Sequence, residues 1–216
     1  MKVGTDGVLL GAWCGLPAGA CRLLDIGTGT GLIALMLAQR ADRAQITAID
    51  IDPVEEAQTN VARSPWSDRI TLVQCAVQQF EAAPFDRIVS NPPFFTESLK
   101  CPDRGRTMAR HAVALPFEEL LEAVCRLLKP DGRFALVLPT TEGERFEQLA
   151  AGRLTTVRRT EVSTTPRHAP KRLLLEMMHT AAATECLCER LTIGTGEHET
   201  YTEEYRRLTR DFYLKF

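Results

Sequence analysis

The chain contains no uninterrupted apolar run approaching the ~18–20 residues of a membrane span, so a membrane-spanning helix is not expected. Net charge is nearly absent as well: 26 basic residues stand against 28 acidic ones, a formal −2. Global electrostatics therefore select no partner, and any nucleic-acid surface has to be a local patch. The seven cysteines, at 14, 21, 75, 101, 125, 186 and 188, include no C-x-x-C pair and no Cys/His cluster at zinc-ligand spacing, which argues against a metal site. Cys186-Leu187-Cys188 reads as alternate residues of a strand. The N-terminal stretch MKVGTDGVLL lacks the basic region and long apolar core of a secretory leader. Free thiols and no leader lead to the expectation of a reducing, cytoplasmic setting. Glycine (14) and proline (12) are near average, which removes collagen-like and low-complexity classes.

What is present is an ordinary globular composition, 44% hydrophobic and 25% charged over 216 residues, with one domain spanning 1–216 as the prior. Short apolar runs alternate with helical stretches. Arg22–Ile26, Gln45–Ile49, Ile70–Cys75, Phe85–Ser90 and Arg133–Leu138 read as strands. Leu32–Arg40 and a stretch from Pro53 to about Ser64 read as helices, with Asp52 as the cap of the second. Phe117–Leu128 carries apolar residues at 117, 120, 121, 124, 127 and 128, a helical period that Lys129-Pro130-Asp131-Gly132 ends. A charged helix (Glu142–Ala151) and two further strands (Leu154–Ser163, Leu173–Met178) follow, the later strands pairing antiparallel at one edge. Strands alternating with helices indicate a doubly wound, mostly parallel α/β fold. No internal repeat and no linker long enough to separate two domains is evident.

Between the first strand and the first helix stands Asp25-Ile-Gly27-Thr28-Gly29-Thr-Gly31-Leu32. Three alternate glycines permit positive φ and let a ligand touch backbone where a Cβ would collide. Asp25 repels phosphate and accepts hydrogen bonds from amines and hydroxyls. No Gly-Lys-Ser/Thr is present, so this is not a P-loop. A dinucleotide G-x-G-x-x-G is blocked at position 32, a leucine, and survives from Gly29 only in its weaker G-x-G-x-x-A form. Asp50, 25 residues after Asp25, ends the second strand where a carboxylate takes both ribose hydroxyls of NAD or of S-adenosylmethionine alike. The alternative is that Asp25 and Asp50 merely cap strand-to-helix turns.

The fourth strand runs into Ser90-Asn91-Pro92-Pro93-Phe94-Phe95. Two prolines hold the backbone extended and remove two N–H donors. That leaves acceptors: the Asn91 side-chain oxygen and the Pro92 carbonyl. Such a site suits a planar amino group whose hydrogens must be accepted while its nitrogen is held in line with a methyl donor, and Phe94 offers a stacking face. A rigid turn around a core phenylalanine is an equal reading of this motif alone. Coming after the glycine turn and Asp50, the chemical reading prevails.

Together, D-x-G-x-G-x-G, the second-strand acid and N-P-P-F resemble class I S-adenosylmethionine-dependent methyltransferases acting on a planar exocyclic nitrogen. The flanks Met1–Trp13, Ala109-Arg-His111, Pro166–Glu176 and Tyr201–Tyr213 are similar to the tRNA-1(Val) adenine-37 N6-methyltransferase family, and the similarity covers nearly the whole chain. The resemblance implies a Rossmann-like, mostly parallel seven-stranded sheet and S-adenosyl-L-methionine as cofactor. It implies cofactor contacts at Asp25, Gly27, Thr28, Gly29, Gly31, Asp50, Ile51, Ala76, Val77 and Asn91, with Asn91, Pro92, Pro93 and Phe94 as the catalytic set. It implies methyl transfer to adenine N6 in the anticodon loop of a tRNA. Family members begin with a segment ahead of the Met1–Trp13 block that includes aromatic residues, and this segment is expected to be missing. They also place an aspartate after the third strand to receive the cofactor's adenine amino group. Here Ala76 stands there, so backbone and apolar side chains are expected to hold the adenine instead.

Two basic segments supply the local patch. Residues 151–172 carry Arg153, Arg158, Arg159, Arg167, Lys171 and Arg172 against Glu161 alone, a net of +5, while Lys100, Arg104, Arg106 and Arg110 oppose only Asp103. Clustering of this kind is what phosphate binding needs. Lys100, Arg104, Arg106, Arg110, Arg167, Lys171 and Arg172 are the RNA-binding candidates, although any single arginine is more simply a paired surface charge. His111 and His168 read as solvated, and Trp13 and Trp66 as packing. Competing functions are an rRNA guanine-N2 methyltransferase, a protein glutamine-N5 methyltransferase, a nicotinamide-dependent oxidoreductase and a non-catalytic RNA-binding module. The flanks disfavour the first, Phe94 in place of tyrosine the second, and Leu32 with no Tyr-x-x-x-Lys the third. An intact N-P-P-F would go unexplained in the fourth. Nothing in the sequence sets the oligomeric state, and a monomer is the expectation.

Overall fold

The computed structural model describes residues 4–93, 115–198 and 200–214. Its frame is one sheet, built from β1 (Cys21–Ile26), β2 (Ala44–Asp50), β3 (Ile70–Gln74), β4 (Phe85–Ser90), β5 (Leu128–Pro139), β6 (Leu154–Ser163), β7 (Arg172–His179) and β8 (Leu187–Thr192). The order is β3-β2-β1-β4-β5-β7-β6-β8. The pairs from β3 through β5 are parallel, β7 runs antiparallel between β5 and β6, and β8 pairs parallel with β6 at the far edge. The expected seven strands are thus eight. The additional edge strand is the segment following Cys186, whose first residues Leu187 and Cys188 are exposed at the outer edge of the sheet.

Helices cover both faces. On one lie α1 (Thr5–Trp13), α2 (Leu32–Arg40) and α6 (Glu203–Thr209), packed over Leu23, Ile46, Val89, Val137 and Leu174. On the other, α4 (Phe117–Leu127) and α5 (Thr140–Ala150) pack over Leu24, Ile88, Leu136 and Leu175, with Phe146 meeting Phe117 edge-on at 5.3 Å between ring centroids. Consecutive strand residues face opposite sides, so Leu23 and Leu24, or Leu174 and Leu175, feed the two cores in turn. This two-sided burial is why the strands read as continuous apolar runs.

α1 is buried over Gly7–Trp13, and it packs so closely on α2 that a Cβ at Gly11 would lie 2.7 Å from Met36 Sδ. Two local expectations shift. α3 (Glu55–Ala62) begins two residues after Pro53 and is capped by Val54 with no side-chain bond, so Asp52 is not its cap. Lys129–Gly132 lies inside β5, at an irregularity in its pairing with β4 between Phe85 and Arg87, and α4 passes into the strand with no loop.

Candidate active site

Parallel pairing brings the carboxyl ends of β1, β2, β3 and β4 to one rim, because Ile26 pairs Ile49 and Ser90 while Asp50 pairs Gln74. Gly27, Ile51, Cys75 and Asn91 therefore follow one another along it. β1 lies between β2 and β4, the point at which the strand order reverses, and open α/β sheets bind ligands in the crevice formed there. A cavity of about 990 Å³ occupies that crevice.

The glycine turn forms its floor. Gly27, Gly29 and Gly31 have φ of 74°, 53° and 79°, values that L side chains rarely adopt. The Gly27 and Thr28 amides donate to the Ile49 carbonyl at 2.9 and 3.0 Å, folding the turn onto β2. Asp50 accepts from the Gly29 amide at 2.8 Å and from the Asp52 amide at 3.0 Å, one on each oxygen. This holds its carboxylate at the cavity wall with lone pairs remaining for hydroxyl groups.

Of the expected cofactor set, Gly27, Gly29, Asp50, Ile51, Ala76, Val77 and Asn91 line the cavity, and Pro92 and Pro93 with them. Asp25, Thr28 and Gly31 do not: they support the turn from beneath. Asp25 is fully buried, accepts from Thr28 Oγ1 at 2.7 Å, and keeps Oδ1 without a partner among the described residues. Burial pushes its carboxyl up to about 7; bonds from Thr28 and the Ala34 amide oppose the rise, and Asp50 adds to it. Ser90 Oγ donates to the Ile26 carbonyl at 3.0 Å, fixing the end of β4 against β1 one residue before Asn91. The Asn91 carboxamide has no hydrogen bond among the described residues. The carboxamide is half-buried and lines the cavity.

Phe94, Lys100, Arg104, Arg106, Arg110 and His111 lie outside the described residues. Lys171 and Arg172 reach the cavity wall, and Arg167 is exposed in the turn before them. Arg172 donates to Asp6 at 2.8 Å, joining the first turn of α1 to the start of β7 across the cavity mouth. The other arginines of the 151–172 cluster are engaged elsewhere. Arg158 lies 4.4 Å over the Trp13 ring and pairs with Glu189, while Arg159 meets Glu144, Glu147 and Glu161. With Arg172 paired to Asp6, the basic edge beside the cavity shrinks to Arg167 and Lys171. Several wall residues were not anticipated: Thr5, Asp6, Leu9, Gln78, Leu115, Glu119, Thr164 and Ile193. Glu119 looks in sequence like an ordinary helix-start acid, and only the packing of α4 against the 77–80 turn brings it to the cavity.

No group of three or more His, Cys, Asp or Glu placed to hold a metal occurs among the described residues. None of their helices is long and apolar enough to cross a membrane. The pattern of the methyltransferase small domain family matches residues 15–159. The chain belongs to that family. It is similar to a tRNA1(Val) (adenine(37)-N6)-methyltransferase of Bacteroides thetaiotaomicron, at 48% identity over 99% of this chain and 91% of the relative. A Flavobacterium psychrophilum protein of the same name is 44% identical over 100% and 93%. Among solved structures, a predicted O-methyltransferase from Agrobacterium tumefaciens superposes with a TM-score of 0.76 at 18% identity, covering 95% of this chain and 96% of that one. A glycopeptide N-methyltransferase complexed with S-adenosyl-L-methionine gives 0.58 at 15% identity, covering 81% and 94%. These structures share the fold of the methyltransferase family member.

Proposed function

We propose that the protein is an S-adenosyl-L-methionine-dependent methyltransferase acting on N6 of adenine 37 in the anticodon loop of a valine tRNA, as one cytoplasmic domain over residues 1–216. The observation that carries this reading is the unpartnered Asn91 carboxamide at the rim, one residue beyond β4 and level with the glycine turn. The cavity fits the cofactor. Asp50 supplies acceptors for ribose hydroxyls, Gly27 and Gly29 admit close approach of the methionine portion, and Ile51, Ala76 and Val77 offer an apolar slot for a base. When bound, the cofactor supplies an electrophilic methyl group on a sulfonium.

The protein's part is positioning. An adenine amino nitrogen is a poor nucleophile because its lone pair is delocalised into the ring. Accepting its hydrogens at Asn91 Oδ1 and the Pro92 carbonyl favours the geometry with more lone-pair density and aligns it for in-line transfer. No strong base is needed beforehand, since the proton becomes acidic as the new bond forms. The base has to leave its stack to enter, which costs least in a single-stranded loop. Lys171, at the cavity wall, and exposed Arg167 in the turn before it are available for phosphates, with Arg172 at the wall held to Asp6; Lys100, Arg104, Arg106 and Arg110 are the further candidates for phosphates and Phe94 for stacking on the base, all outside the described residues.

The test is transfer of labelled methyl to unmodified valine tRNA transcripts carrying adenine or guanine at position 37. Incorporation with adenine alone, lost in Asn91→Ala, supports the reading. Incorporation into guanine-37 tRNA, into ribosomal RNA alone or into a protein glutamine overturns it.

A further inference from the structure

The orientation of an S-adenosyl nucleoside in this cavity follows from its own connectivity. The sulfonium is carried on the ribose at C5′ and the adenine at C1′. With the reacting end toward Asn91 after β4 and the ribose on Asp50 after β2, the adenine extends away from Asn91, toward β3. That end of the cavity is walled by Ile51, Cys75, Ala76, Val77, Leu115 and Pro116. Ile51 is 58% exposed, an apolar side chain left open at the wall. The slot suits a planar base, yet Ala76 provides nothing for the exocyclic amino group of adenine.

Two side chains at this end can. Glu119, in the first turn of α4, and Gln78, two residues past Ala76, both line the cavity and are hydrogen-bonded to each other, Gln78 Nε2 donating to Glu119 Oε2. That bond commits the carboxamide nitrogen, so Gln78 Oε1 and Glu119 Oε1 remain as a pair of acceptors. An adenine amino group has two hydrogens to give. We infer that Glu119, oriented by Gln78, recognises the adenine amino group of the cofactor, so that base specificity is supplied from α4 rather than from the β3 loop. The inference rests on the cofactor assignment above and deepens it.

Hypoxanthine separates this from a structural tie between α4 and the 76–80 turn, because it carries a carbonyl where adenine carries the amino group. A carboxylate facing that carbonyl repels it, whereas a mere tie is indifferent to the base. The measurement is calorimetric binding of S-adenosylhomocysteine and S-inosylhomocysteine to the full chain and to Glu119→Gln, Glu119→Ala and Gln78→Ala, with melting curves as a folding control. The unsubstituted protein is expected to prefer the adenosyl compound by about 10–100-fold. Glu119→Gln, which can donate to the carbonyl, is expected to narrow the ratio to within about threefold. Glu119→Ala weakens adenosyl binding alone, and Gln78→Ala has a smaller effect in the same direction. A ratio unchanged in both Glu119 variants, with the two ligands weakened equally or not at all, would overturn the inference and leave the cofactor assignment intact. Failure of the unsubstituted protein to bind either compound would overturn the cofactor assignment and the inference with it.

Discussion

Two places in one cross-strand row of the sheet, Asp25 on β1 and Glu176 on β7, handle polar groups in opposite ways. At the rim where β4 stops, Asn91 and Asp25 Oδ1 have no hydrogen-bond partner among the described residues, and three glycines hold positive φ. Two strands over from β4 and level with Val89, Glu176 of β7 is 1% exposed and its oxygens accept from the Gly15 amide at 2.5 Å and from Arg133 at 3.2 Å. Arg87 closes the same knot by donating to the Gly15 carbonyl at 2.7 Å. Both places bury a carboxylate, but both oxygens of Glu176 are paired while one oxygen of Asp25 has no partner among the described residues. The difference teaches where ligand chemistry lies: a folded chain tolerates an unsatisfied group when a ligand completes it.

Substitution at each place breaks the comparison differently. Asn91→Ala is expected to lower kcat about 10²–10³-fold, the cost of one positioned acceptor, while the melting temperature holds because no protein bond is lost; steady-state methyl transfer and calorimetry read the two. Glu176→Ala should do the converse. It strands Arg133 and the Gly15 amide, and a loss of about 2–3 kcal/mol is expected in urea unfolding, discounted because Arg133 is partly exposed. Gly31→Ala places a Cβ at φ 79° and 3.4 Å from the Ala57 methyl, costing about 1–2 kcal/mol in the same assay.

Asp25 sharpens the contrast through pH. Its carboxyl is raised by burial to about 7, so the folded protein holds a proton that the unfolded chain releases near the ordinary carboxylate value. Stability contributed by this group is present at low pH, declines as pH rises through the acid range to about 7, and then levels. Asp25→Asn should remove that slope from melting temperatures measured between pH 5 and 8. The smallest effect is at the thiols. Exposed Cys186 and Cys188 react with a disulfide reagent in the native protein, Cys186 slowly because its thiol is pushed up to about 11, while buried Cys14 and Cys21 react only after denaturation.

The strand runs and the helix at 32–40 were legible because two-sided burial writes itself as contiguous apolar residues, and β4 and β6 fall at 85–90 and 154–163 as the sequence indicates. α1 was not legible as a helix: its seven buried residues are apolar on every side and show no amphipathic period. The start of α3 was misplaced because Pro53 favours a helix start without compelling it.

Sequence order alone determined the glycine turn, the second-strand acid, the Asn-Pro-Pro turn and hence the family, since each depends on residues adjacent in the chain. Tertiary structure decided what spacing cannot encode. Parallel pairing put Asn91 level with Gly27, the sealing of the turn set Asp25 beneath the cavity rather than in it, and the packing of α4 against the 77–80 turn brought Glu119 to Gln78 across 41 residues. It also sorted the arginines, because Glu189 on the neighbouring strand pairs with Arg158, and Glu144 and Glu147 of α5 face Arg159, none of them near its partner in sequence. Local motifs report backbone conformation and chemical type, whereas which charges remain available depends on distances that only the assembled sheet sets.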